Sequence, residues 1–241
     1  MRRKDPQHIV TWDKGIEPRW KGKKGERMNV NDFLSALGAE FFTGVPDSKL
    51  RPLVDHLMDT YGVHSSAHVI AVNEGSAAAL AAGYHLATGK TPLVYLQNSG
   101  LGNLVNPLLS LLHEEVYGIP CIFVVGWRGE PDQHDEPQHL VQGRLSVPLL
   151  ATMGVQTFVL MRETAAAEVA AWREEMRPRL AAGGQCAILV RDGALTYPKR
   201  TYGNAYALRR EEAIAHILDA AGDAVIVATT GKTGRELFEL R

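Results

Sequence analysis

Cysteine is scarce in this sequence, with two in 241 residues, and that excludes a disulfide framework. Both lie in apolar runs, Cys121 in IPCIFVVGW and Cys186 in QCAILV, which reads as two buried free thiols in a reducing cytoplasm. Long apolar runs are lacking as well. None approaches the ~18 residues of a membrane span, so no membrane association is expected. Excess charge of one sign is also missing. A formal net charge of −1 leaves no broad basic surface for nucleic acid. What remains, 45% hydrophobic and 22% charged residues, is the composition of a soluble globule. The length admits one large α/β domain, or one medium domain with part of another.

The charge is unevenly placed. Residues 1–27 carry nine Lys/Arg against four Asp/Glu, a net of +5, which leaves −6 for the rest. This segment has no apolar run long enough for a signal sequence, and its acidic residues suit a transit peptide poorly. It reads as a disordered basic extension, or as residues upstream of a working start at Met28.

From residue 39 short apolar runs alternate with amphipathic stretches. Strands are expected near Glu40–Thr43, His68–Val72, Pro92–Gln97, Cys121–Val125, Gln156–Leu160 and Cys186–Val190. Helices are expected near Pro52–Tyr61, Glu74–Ala87, Val105–Glu115, Leu145–Met153 and Thr164–Leu180. Continuous apolar strands separated by helices imply a doubly wound parallel sheet with helices on both faces. Ligands of such sheets sit beyond the carboxyl ends of the strands, so the loops after strands carry the chemistry. Residues 28–190 form the expected first domain. The polar stretch 191–207, with Gly193, Pro198 and Gly203, reads as a linker. Residues 208–241 then read as a helix, a strand Ala224–Ala228, the turn TTGKTG and a second helix from Arg235. So small a set cannot bury a core, and the sequence reads as stopping inside a second α/β domain.

Five loops follow strands. In TGVPDSKLRP, Pro52 suits a first helical turn, and Asp47 or Ser48 serves equally as a helix cap or a ligand group. In VNEGSAAALAAGYHLATG, Glu74 stands where a strand becomes a helix, a place the helix dipole alone would favour. The five Ala after Ser76 leave that helix thin enough for another backbone or a flat ligand to approach. LQNSGLGNLVNP offers Gly100-x-Gly102, but the third glycine of a dinucleotide turn is Val105. GWRGEPDQHDEPQH is too long and too rich in charge for a plain connection. Its His134, Asp135, Glu136 and His139 could suggest a metal, but their packing into one loop, with Pro137 breaking helical register, argues against zinc, and no metal ligand is assigned. TTGKTG fails as a phosphate loop, because the glycine required five positions before Gly231 is Ile226.

Together GVPDS, NEGSAAALAAGYHLATG, QNSGLGNLVNPL, GIPCIFVVGWRGEP and DEPQH resemble the pyrimidine-binding domain of thiamine-diphosphate-dependent 2-oxoacid decarboxylases. The resemblance is nearest to the phosphonopyruvate decarboxylases, with the sulfopyruvate decarboxylases next. It runs from about Val30 to Val190, and TTGKTGRELFELR resembles the start of the family's diphosphate-binding domain.

The resemblance implies the thiamine-diphosphate fold and a role for Glu74. In these enzymes this glutamate hydrogen-bonds the pyrimidine N1′ of the cofactor, favouring the tautomer that removes the thiazolium C2 proton. Glu74 is therefore the expected catalytic residue. Val45, Pro46, Asn98, Ser99, Gly100, Leu101, Gly102 and Asn103 are expected to line the cofactor with it. Asp47, Ser48, Arg128, His139 and Lys232 are expected at the substrate anion, with a surface ion pair to Glu130 the alternative for Arg128.

The implied reaction converts 3-phosphonopyruvate to phosphonoacetaldehyde and carbon dioxide, a step of phosphonate biosynthesis. Alternatives are decarboxylation of sulfopyruvate, and a non-catalytic subunit built on the pyrimidine domain. Mg²⁺ is implied at the diphosphate, but the family's GDG motif is absent here. Its nearest counterparts are RDG at Arg191–Gly193 and GDA at Gly222–Ala224, so Mg²⁺ ligands are expected in a missing C-terminal domain, and this chain alone is expected to be inactive. The family's active site lies between chains, which implies a homodimer or homotetramer. The small face of Ala77, Ala78, Ala81 and Ala82 suits either a second helix or the chain's own sheet.

Overall fold

The computed structural model describes residues 27–198, 200–203, 205–229 and 231–241. The basic extension expected over residues 1–27 falls outside the described residues except at Arg27. Internal contacts divide the chain into two units, one up to Arg200 and one from Thr201 to Arg241.

The described part of the first unit opens on a short strand, β1 (Met28–Asn29), and a helix, α1 (Val30–Leu37). The sequence reading missed both. The Asn29 side chain accepts from the Asn31 N–H at 2.8 Å and starts the helix. Val30, Phe33, Leu34 and Leu37 form its buried stripe, and Gly38 closes it at φ 65°. There follow β2 (Phe42–Gly44), α2 (Arg51–Tyr61), β3 (His68–Ile70), α3 (Glu74–Thr88) and β4 (Leu93–Gln97). The expected helix Val105–Glu115 divides differently. A helix α4 (Leu101–Pro107) passes into a π-helical turn over Leu108–Leu112, closed by His113 N–H on the Leu108 carbonyl at 2.8 Å.

The rest of the unit is β5 (Cys121–Gly126), α5 (Pro137–Thr152), β6 (Gln156–Leu160), α6 (Ala166–Ala181), β7 (Gln185–Val190) and β8 (Leu195–Thr196). Helix α5 begins eight residues before the expected Leu145. Pro137 takes its first turn, where a missing N–H costs nothing, so it starts a helix rather than breaking one.

Six strands form one parallel sheet in the order β3-β2-β4-β5-β7-β6. The doubly wound fold inferred from the apolar strands is the one observed. One face carries α1, α2 and α6 over Tyr95, Ile122, Val124, Cys186 and Ile188. The other carries α3, α4 and α5 over Val94, Leu96, Phe123, Val125 and Leu189. Neighbouring residues of each strand face opposite cores, as the pleat requires. Ala77, Ala78, Ala81 and Ala82 are buried in the second core, so this face lies against the chain's own sheet rather than a partner helix.

Part of the stretch read as a linker belongs to the first unit. Ala194 and Leu195 are buried, and β8 pairs in parallel with β1. In the second unit α7 (Arg210–Ala221) and α8 (Lys232–Leu240) are joined by an Arg210–Glu236 ion pair. The expected strand Ala224–Ala228 does not form. Val225 and Val227 stand 90% and 92% exposed, with no neighbouring strand among the described residues to complete a ladder.

Candidate active site

The chain leaves β2 towards β3 on one side and later places β4 on the other. That reversal opens a crevice beyond the carboxyl ends of β2 and β4, the place where ligands of such sheets bind. Gly44 belongs there for a steric reason. A Cβ on it would lie 1.9 Å from the Tyr95 carbonyl oxygen, which accepts the following Val45 N–H at 3.0 Å. Val45 is half-buried and Pro46 exposed at this rim.

Helix α2 has Leu50 at its N-cap with no side-chain cap hydrogen bond, so the helix-cap reading of Asp47 is not met, and Asp47 instead holds the turn that leads into the helix. Its Oδ2 accepts the N–H of Lys49 at 2.9 Å and of Leu50 at 3.3 Å. Its Oδ1 accepts Gln97 Nε2 at 2.6 Å, which ties the end of β4 to the loop after β2. Gly126 leaves room for this carboxylate, since a Cβ there would lie 2.1 Å from Oδ2. Ser48 is exposed at the crevice.

Glu74 opens α3, but it is not what starts the helix. Asn73 does that, accepting the Ser76 N–H at 2.8 Å. The Glu74 side chain instead turns to the loop after β4, where Oε2 accepts Asn103 Nδ2 at 2.7 Å. It is 8% exposed, and it packs on Gly100, where a Cβ would fall 2.1 Å from Oε1. Oε1 accepts no hydrogen bond among the described residues. A carboxylate largely withdrawn from water, with one oxygen held and one open, is suited to exchange a proton with a ligand base.

The turn at residues 98–103 is not uniform. Asn98 is 3% exposed, and its amide is fully engaged within the chain. It donates to the Arg128 carbonyl at 2.8 Å and to Ser146 Oγ at 2.9 Å, and accepts the Arg128 N–H at 3.0 Å. Its side chain therefore joins the ends of β4 and β5. Gly100 and Leu101 are buried, while Ser99, Gly102 and Asn103 face solvent. Ser99 Oγ donates to Gln97 Oε1 at 2.5 Å. Gly102 has open space around it, so the close approach in this turn occurs at Gly100.

Arg128 follows β5. It does not pair with Glu130, which instead receives Arg191 Nε at 2.5 Å. Its partner is Asp135, reached through Nε at 2.8 Å and through Nη2. Asp135 also accepts the N–H groups of Gly129 and Glu136, each at 2.8 Å. The guanidinium and these two amides hold the Asp135 carboxyl well below the usual carboxylate range. His139, in the first turn of α5, brings its carbonyl oxygen to within 2.1 Å of where a Gly129 Cβ would sit. Its buried Nδ1 has no hydrogen-bond partner among the described residues. Lys232 begins α8 in the second unit.

Residues 29–149, half of the chain, match the sequence profile of the thiamine pyrophosphate enzymes, N-terminal TPP binding domain. The chain belongs to this family. The matched span contains every site residue described above except Lys232 and Arg191. The chain is 34% identical over 225 residues to a phosphonopyruvate decarboxylase of Streptomyces hygroscopicus, covering 86% of this chain and 54% of that protein. To that of Streptomyces viridochromogenes it is 33% identical, covering 86% and 55%. To the sulfopyruvate decarboxylase subunit alpha of Methanococcus maripaludis it is 31% identical over 121 residues, covering 50% and 68%. The chain thus spans about half the length of the phosphonopyruvate decarboxylases it matches.

For a thiamine pyrophosphate enzyme the crevice has suitable parts. The open Oε1 of Glu74 offers an acceptor for a protonated ring nitrogen. The bare Gly100 backbone beside it makes room for the Glu74 carboxylate itself. Three residues that hold this arrangement escaped the sequence reading. Gln97 and Ser146 hold it through partners distant in sequence, Asp47 and Asn98, and Asp135 had been weighed only as a metal ligand. The sequence signal for Asp135 was its place just before a proline-started helix.

Proposed function

We propose that this chain carries the pyrimidine-binding half of a thiamine-diphosphate-dependent 2-oxoacid decarboxylase acting on 3-phosphonopyruvate. One observation supports the reading: the buried Glu74 carboxylate, held by Asn103 and packed on Gly100, keeps one oxygen without a hydrogen-bond partner among the described residues. Thiamine diphosphate, when bound, supplies the electron sink that lets a 2-oxoacid lose carbon dioxide. Glu74 holds a proton at N1′ of the cofactor pyrimidine. Asn103 keeps the carboxylate in register, and Gly100 keeps its approach unobstructed. Arg128, Ser48 and His139 lie at the substrate's acidic end.

The products are phosphonoacetaldehyde and carbon dioxide. Mg²⁺ and the cofactor diphosphate are held outside the family-matched residues. The active unit is a homodimer or homotetramer with the cofactor between chains. No helix among the described residues is long and apolar enough to cross a membrane. The similarity to sulfopyruvate decarboxylase alpha subunits supports a second reading, with sulfopyruvate as substrate.

The test is carbon dioxide release by the full-length gene product with thiamine diphosphate and Mg²⁺. A kcat/KM higher for phosphonopyruvate than for sulfopyruvate is expected. The reverse order transfers the assignment to the sulfonate, and no cofactor-dependent release from either overturns the decarboxylase reading.

A further inference from the structure

Arg128 is held at both its guanidinium and its main chain. Nε and Nη2 lie on Asp135, which also grips the backbone of Gly129 and Glu136. The main chain of Arg128 is clamped at both N–H and carbonyl by Asn98. Only the Nη1 edge is left with a weak partner. It reaches Ser48 Oγ at 3.5 Å, the outer limit of a hydrogen bond, across the crevice from the loop after β2. A side chain needed only to staple its loop would not require this edge to face an exposed hydroxyl on another loop. An arginine whose orientation is fixed loses less side-chain entropy when an anion arrives.

We propose that Asp135 is a positioning residue that aims the Nη1 edge of Arg128, together with the Ser48 hydroxyl, at a tetrahedral anion on the far end of the substrate. This rests on the decarboxylase reading for the identity of that substrate, with the phosphonate of a 2-oxoacid as the group recognised. Asp135 touches no substrate atom. It sets which guanidinium edge is presented, and it keeps the pair from swinging to other carboxylates such as Asp47. A planar fork held in this way favours an acid bearing a tetrahedral anion over one ending in a methyl group.

The experiment uses the full-length gene product and two readouts. The first is selectivity, the ratio of kcat/KM for phosphonopyruvate to that for pyruvate. The second is the Kd of phosphonoacetate, a saturated acid with the same anion, which needs no turnover. Asp135→Asn should lower the selectivity ratio and raise the Kd about tenfold, the scale of one charge-assisted hydrogen bond. Ser48→Ala, at an exposed residue that bears on no core packing, should shift both in the same direction by a smaller factor. It keeps the proposal testable if the Asp135 variant does not fold. An unchanged ratio and Kd in the folded Asp135 variant, or in Ser48→Ala if that variant does not fold, overturns the positioning role. So does a wild-type protein that does not bind phosphonoacetate. If the wild type binds phosphonoacetate but decarboxylates neither acid, the decarboxylase reading fails, while a raised Kd in Asp135→Asn still upholds this one.

Discussion

Glu74 and Gly100 meet so closely that the absence of one methyl group decides the geometry. A Cβ on residue 100 would lie 2.1 Å from Glu74 Oε1, 2.4 Å from Cδ and 2.6 Å from Cγ. What gives way matters. The obstructed atoms belong to the end of a side chain, so Glu74 can swing aside without moving the backbone. Gly100→Ala should therefore cost little stability, about 1 kcal/mol or less. Activity should fall far more, because the displaced carboxylate loses Asn103. Paired thermal melts and turnover assays on the full-length protein check this. Equal losses in both would mean that Gly100 serves packing alone.

Glu74→Gln tests the carboxylate itself. Glutamine keeps the volume and can still accept from Asn103, but it cannot exchange a proton. We expect kcat to fall by at least ~100-fold with the melting temperature nearly unchanged, the usual scale for a positioned acid or base. Turnover within a few-fold of the parent would remove Glu74 from the chemistry.

Asn98→Ala should act on stability. Its amide makes three bonds, two to the backbone of Arg128 that join the ends of β4 and β5 and one to Ser146 of α5. Removing it leaves that N–H and carbonyl without their partner. The expected loss is about 1–3 kcal/mol, the usual cost of unsatisfied buried groups. Urea unfolding reads it, and a loss below about 0.5 kcal/mol would mean that water replaces the amide without penalty.

How far the sequence could be read follows from which interactions are local. The six core strands were legible because each is a continuous apolar run, and a parallel sheet buried on both faces leaves that trace. The carboxyl-end loops followed from the topology. Helix α1 was legible in principle, since Asn29, the stripe from Val30 to Leu37 and Gly38 form a complete capped helix. It was overlooked beside a strongly charged segment. Pro137 misled because one residue type both breaks a helix interior and starts a first turn. The pairing of Arg128 with Asp135 rather than Glu130 was out of reach. Both carboxylates are near in sequence, and only the fold of residues 129–136 decides which one faces the guanidinium. The strand Ala224–Ala228 has the right residues, but a strand is a property of two neighbours and none is described.

His68 is fully buried beside Tyr95, with Nδ1 2.6 Å from the Gly62 carbonyl and Nε2 2.8 Å from the Tyr95 hydroxyl. A carbonyl only accepts, so Nδ1 carries the proton and donates, and Nε2 accepts from the tyrosine. The neutral ring satisfies both contacts. Burial depresses the His68 pKa below its ordinary 6.5, with the Gly62 carbonyl opposing the shift. In the unfolded chain the ring protonates near its ordinary value, so below 6.5 the unfolded state binds more protons than the folded one. The stability from His68 is thus complete above that pH and is lost as the pH falls towards the depressed folded value. The slope approaches about 1.4 kcal/mol per pH unit between the two. His56 is depressed in the same direction by its own burial and adds a background. Urea unfolding at about pH 7.5 and about pH 5.5, on the parent and on His68→Gln, separates the two contributions. The parent should lose more stability between these conditions than the variant, which retains only the His56 share. Equal losses would show that His68 keeps its ordinary pKa in the folded protein.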